Sequence, residues 1–271
     1  MTTLLLLGAL TTPVLAATPE ARVVTPLSET DLTIALESGE WRVRQEARGS
    51  QFWQDQPALA QDLWAVQPQV TRAGFLRFWG GIVDESGAEV ILLERLVHGD
   101  ESAGVRHALI DAIARSGVDH AQAFVELMPL EPDGWVRAAY VNSLRKQELS
   151  LASAMFRQAL DDRDAYVRAE GARSIGWHPE GDQLSPELIA ALSDTEASVR
   201  EAAARSLGIH KVSSAFSAVA GLLFDPDAEV RLQALHAVER IDAKRASGVA
   251  APLLDDADSR ISRLATRVTG L

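Results

Sequence analysis

Residues 213–238 read SSAFSAVAGLLFDPDAEVRLQALHAV, and this stretch decides the fold. An apolar-rich first helix, expected over 213–224, runs into Asp225-Pro226-Asp227, where proline, lacking an amide hydrogen, stops it. Asp227 is placed to cap a second helix, expected over 228–241. Counting Val230 as position 0, apolar or small residues fall at 0, 4, 5, 7 and 8: Val230, Ala234, Leu235, Ala237 and Val238. This is the stripe of an amphipathic helix that buries one face.

The unit recurs. Val-Arg stands at Val105-Arg106, Val136-Arg137, Val167-Arg168, Val199-Arg200 and Val230-Arg231, fading to Ile261-Ser262, at spacings of 31, 31, 32, 31 and 31 residues. A fixed period of this size marks a stacked array in which each unit buries its apolar face against its neighbours. The stripe repeats as Val199, Ala203, Ala204, Ser206, Leu207 and as Val167, Gly171, Ala172, Ser174, Ile175. Small residues at positions 4 and 7 let neighbouring helices approach closely. Val43, in WRVRQEA at 41–47, lies two periods before Val105, and 70–78 (VTRAGFLRF) holds a faded copy between them.

The expectation is an all-α solenoid of about eight helix pairs over 28–271. Its units fall near 28–55, 56–84, 85–116, 117–147, 148–178, 179–210, 211–241 and 242–271. Trp41, Trp53, Trp64 and Trp79 cluster in the first two, as fill for looser packing or as a stacking surface for a ligand. Ser262, Thr266 and Thr269 replace ladder and stripe residues in the last copy, as expected of a solubilising terminal repeat.

A net charge of −12 gives no counterion-release drive toward phosphate backbones, so nucleic acid is not an expected partner. Basic residues are almost all Arg, with Lys only at Lys146, Lys211 and Lys244. Cysteine is absent, which removes disulfides, thiolate metal sites and a Cys nucleophile. Residues 4–16 (LLLLGALTTPVLA) are apolar, too short to span a bilayer, and end in small residues. They read as a signal peptide cleaved after Ala16, although Met1-Thr2-Thr3 lacks the usual basic residue; a buried N-terminal helix is the other reading. Residues 17–27 form a linker. The expected destination is the periplasm or the exterior, with no membrane insertion after cleavage and a monomeric state.

An acidic residue recurs five positions before each Val: Asp100, Glu131, Asp162, Asp194, Asp225 and Asp256. With the Val-Arg pair and the small-residue helix behind it, the unit resembles the HEAT repeat, in the short bacterial form called PBS-lyase-like. The resemblance implies a right-handed α-solenoid superhelix of antiparallel helix pairs, with first helices on the convex face and second helices on the concave one. It also implies a ladder in which Arg106, Arg137, Arg168, Arg200 and Arg231 pair with acidic residues of their own or adjacent turns, Asp100, Asp162, Asp194 and Asp225 among them. Direct ligand contact by these arginines is the competing reading.

Position 6 of each second helix points into the implied concave groove: Asp111, Asn142, Arg173, Arg205, His236 and Arg267. Arg173, Arg205, His236 and Arg267 are the candidate partner-binding residues, suited to an acidic peptide or other anion; a solvated helix face would read the same way. His178 and His210 share position 11. Helix-end placement accounts for them better than a metal does, since no third ligand is at hand. No His-Glu dipeptide, serine elbow, P-loop or dinucleotide fingerprint occurs, so no catalytic residue, metal or cofactor is assigned. The expected function is a non-enzymatic scaffold for a protein or peptide partner; the alternative is a lyase-like HEAT-type enzyme that modifies a protein.

Overall fold

The computed structural model describes residues 93, 96–97, 102–115 and 120–271, all helix or connection with no strand among them. The leader, the linker, the first two repeat units, the four early tryptophans and Asp100 lie outside the described residues. The chain divides into two compact units, Met1–Val118 and Asp119–Leu271.

In the first unit, α1 (Ala103–Arg115) buries Val105, Leu109, Ile110, Ala112 and Ile113. The second unit is a run of five helix pairs: α2 (Ala121–Leu127) with α3 (Gly134–Ser143), α4 (Leu149–Leu160) with α5 (Ala165–Trp177), α6 (Ser185–Ala191) with α7 (Ala197–Ile209), α8 (Phe216–Gly221) with α9 (Ala228–Ile241), and α10 (Ala243–Val249) with α11 (Ser259–Thr269). The second members α3, α5, α7, α9 and α11 pack one on the next as a row, and α2, α4 and α6 form a row behind them. The core is the seam between the rows, where Phe124, Phe156, Met155 and Ile175 are wholly buried, each side chain contributing roughly 1.5–3 kcal/mol.

Local chemistry sets where the second helices begin. Asp133, Asp164, Asp227 and Asp258 each accept the backbone N–H two residues on, at 2.8–2.9 Å, and so cap α3, α5, α9 and α11. The first helices differ from the sequence expectation. The segment 213–224 is not one helix but α8 flanked by 3₁₀ turns, Ser213–Ala215 and Leu222–Phe224. Met128–Leu130 and Ala251–Leu253 end α2 and α10 in the same way, each holding a proline that cannot donate. A six- or seven-residue helix has few i→i−4 bonds, so its ends tighten into i→i−3 bonds instead.

Tight stacking within the row depends on position 9 as well as 4 and 7. A Cβ on Gly176 would lie 2.8 Å from that of Ser206, and one on Gly208 would lie 2.8 Å from the Cα of Ala237. Position 9 of one helix therefore meets position 7 of the next. At position 4, a Cβ on Gly171 would lie 2.8 Å from Ala159 of α4.

Candidate functional site

Two columns of arginine run along the second helices. At position 1 of α3, α5, α7 and α9, the guanidinium reaches forward to the acidic residue of the following repeat. Arg137 donates to Asp162 through Nε and Nη2, both at 2.8 Å. Arg168 does so to Asp194 at 2.7 and 2.9 Å, Arg200 to Asp225 at 2.7 and 2.8 Å, and Arg231 to Asp256 at 2.8 and 3.0 Å. The third arm, Nη1, donates back to the connection of its own repeat, to the carbonyls of Glu131, Asp162, Asp194 and Asp225. Each acidic residue also accepts the backbone N–H two residues on, Glu131 included. One carboxylate thus shapes its own connection and anchors the preceding repeat. Such planar two-point pairs are strong and directional.

The electrostatics follow. Burial raises the Asp162 and Asp225 carboxyls, but the guanidinium donors and a backbone N–H outweigh it and hold both below the usual carboxylate range. For Asp194 and Asp256 the arginine hydrogen bond is itself the largest influence, with the same result. Arg106 lies on α1 in the other unit.

At position 6 the surroundings are mixed. Asp111 sits on α1, 3.8 Å from His107. Asn142 accepts from Arg145, which also pairs with Glu170 at 3.0 Å. Glu170 is 3.5 Å from Arg173, and Arg173 is 3.8 Å from Glu201 of α7. The network Asn142–Arg145–Glu170–Arg173–Glu201 therefore crosses three helices and holds Arg173 between two carboxylates. Arg267 grips Glu239 through two donors at 2.5 and 2.9 Å. His236 is half-buried; burial lowers its pKa, Arg240 and Arg267 add to the effect, and Glu239 opposes it. Arg205 is exposed and has no carboxylate partner among the described residues. Its guanidinium stands 6.0 Å from the ring centroid of Trp177.

The histidines at position 11 are tethers. Nε2 of His178 contacts the Gln147 carbonyl at 2.8 Å, and Nδ1 accepts from the Glu180 N–H, which places the ring proton on Nε2. His210 reaches the Ile175 carbonyl at 3.0 Å. Among the described residues, no group of three or more His, Asp or Glu side chains could hold a metal ion.

Sequence reasoning passed over Trp177 and Glu170. The signal for Trp177 was present at position 10, one turn beyond position 6 and on the same face. Glu170 gave none, because its role depends on which helix stacks beside it.

Stacked helix pairs locked by a repeating ion-pair ladder define an α-solenoid scaffold. The chain belongs to the HEAT-repeat family: the family model for HEAT repeats matches residues 89–176, 153–223 and 185–269. Among solved structures it is similar to YibA of Escherichia coli, with a TM-score of 0.58 and 16% identity over 93% of this chain and 98% of that one. It is also similar to Cex1p, with a TM-score of 0.53 and 15% identity, covering 84% of this chain and 55% of that one. At such identities the likeness shows the fold alone. No curated protein matches the chain in sequence.

Proposed function

We propose that this chain is a non-enzymatic scaffold, exported by residues 1–16 to the periplasm or cell exterior, that holds a protein or peptide partner on the concave face formed by its second helices. Trp177 carries the reading. It is 60% exposed, and Arg205 stands beside it with its charge uncompensated by any described carboxylate. An exposed tryptophan next to an uncommitted arginine is the chemistry that dominates protein interfaces. Arg173, His236 and Arg267 stand at the same position 6 on α5, α9 and α11. Among the described carboxylates with displaced pKa values, Asp162, Asp194, Asp225 and Asp256 sit in ladder rungs and Asp258 caps α11 beside Arg260; such a spread along the stack fits an array better than an acid–base site.

The variants Arg205→Glu and Trp177→Ala should each weaken partner capture from a periplasmic extract about tenfold. The melting temperature should stay within about 1 °C, as for other exposed sites. Arg173→Glu, in contrast, should lower it by setting a third carboxylate beside Glu170 and Glu201. Wild-type capture by Arg205→Glu would remove this face as the site. N-terminal sequencing of the exported protein should begin at Ala17.

A further inference from the structure

At the opposite end of the second helices the connections carry another surface, and its chemistry is of opposite sign. We propose that the connections entering α3 and α5 form a docking edge for a basic peptide segment. Trp135 and Tyr166 would offer ring faces to its Arg or Lys side chains, and Asp133, Asp161 and Asp164 would supply the countercharge. The proposal stands apart from the Trp177 face and does not depend on it.

Position −1 is aromatic in these two repeats only; the next ones hold Ser198, Glu229 and Arg260. Trp135 and Tyr166 are each 48% exposed, and Leu130, on the same connection as Trp135, is exposed as well. The two connections lie against each other. Asp164 covers Gly134 so closely that a Cβ there would meet its Oδ2 at 2.0 Å, and Arg163 donates to the Pro132 carbonyl at 3.2 Å. The rings therefore project from the same turn of adjacent helices, whose axes lie roughly 8–10 Å apart in packed rows. That span suits successive side chains of one extended segment.

Charge selects the occupant. Asp133 and Asp164 each use Oδ1 to cap their helices and have no ion-pair partner among the described residues. Asp161 is exposed, has no ion-pair partner among the described residues, and borders a groove of about 300 Å³ walled by Met128, Pro129, Gln158, Arg163 and the Arg137–Asp162 rung. Arg163 is the one exposed cation of these two connections, against three carboxylates. An anionic segment would be repelled here, and an apolar one would leave carboxylates desolvated and unpaired. A guanidinium or ammonium satisfies the ring faces and the carboxylates together.

The test is fluorescence anisotropy of a dye-labelled, alternating Gly-Arg octapeptide titrated with the full chain at about 150 mM salt, where long-range attraction is screened. Replacing both rings (Trp135→Leu with Tyr166→Leu) leaves every charge in place and should weaken binding about tenfold; Trp135→Phe with Tyr166→Phe should stay within about twofold. Should the leucine pair lower the melting temperature, Asp161→Asn on the exposed connection gives an independent reading, an expected weakening of about threefold. The pair Trp177→Ala with Arg205→Glu should bind the peptide normally. Equal binding by the leucine pair, equal binding of a Gly-Glu octapeptide, or no binding by the wild type would each overturn the proposal.

Discussion

The arginine columns at positions 1 and 6 of the second helices carry the same side chain in opposite circumstances. At position 1 the guanidiniums of Arg137, Arg168, Arg200 and Arg231 are each bonded at both ends, to the carboxylate of the next repeat and to a carbonyl of their own connection. At position 6 one arginine is shared by two carboxylates, one is paired in solvent, and one stands beside an exposed tryptophan. A rung closes only if one repeat supplies a guanidinium and the next a carboxylate at fixed places, so its sequence is narrowly held. The outer column meets no such condition, and its sequence varies from Asn142 to Arg267. Recurrence here reports assembly; variation marks where recognition has room.

The comparison breaks most sharply in acid, because protonation reaches four rungs at once. The folded-state values of Asp162, Asp194, Asp225 and Asp256 all lie below the usual carboxylate range. A depressed value means stability that is present above the unfolded value of about 4 and lost as pH falls through the folded values. Urea midpoints should therefore fall only slightly from about pH 7 to 5, where among the described groups the depressed pKa of His236 alone contributes, and fall steeply below about 4. A profile still level at about pH 3 would mean that the rungs do not hold the stack.

A single rung should follow. Arg137 is only 3% exposed, so Asp162→Ala strands a buried cation and should cost about 3 kcal/mol in urea unfolding. Replacing the pair, as Arg137→Met with Asp162→Leu, should recover most of that loss, since well-packed apolar groups carry no desolvation penalty. If the double variant is as unstable as the single one, the rung is fixing the register of the repeats as well as neutralising charge.

Which of these features could be read from the chain depends on whether they repeat within one unit or arise between units. The bounds of α9 followed from Pro226, the Asp227 cap and the Val230 stripe, all local. The residues of the ladder were visible because they recur. That Arg137 bonds forward to Asp162, 25 residues on, while Asp164 serves as the cap, depends on how far one repeat is shifted along the next. A period does not encode that shift. The same holds for Gly176 and Gly208, whose need for a bare Cα appears only when position 7 of the next helix is laid against them. Arg173 could not be assigned to the Glu170–Glu201 pair for the same reason. The breaks in the first helices were obscured by apolar runs that continue past their α-helical hydrogen bonds.

The smallest effect belongs to Arg267. Its grip on Glu239 is as short and as two-pronged as any rung, yet its side chain is 58% exposed. Water competes for both groups, salt screens them, and two flexible side chains must be immobilised to make the contact. Arg267→Ala should therefore cost no more than about 0.5 kcal/mol, and the loss should shrink further in about 0.5 M salt. The stability cost at Asp162 should stay large in the same salt, because its partner is shielded from solvent. A loss at Arg267 close to that at Asp162 would show that geometry, rather than burial, sets the strength of these pairs. It would also move Arg267 from the recognition face into the framework of the stack.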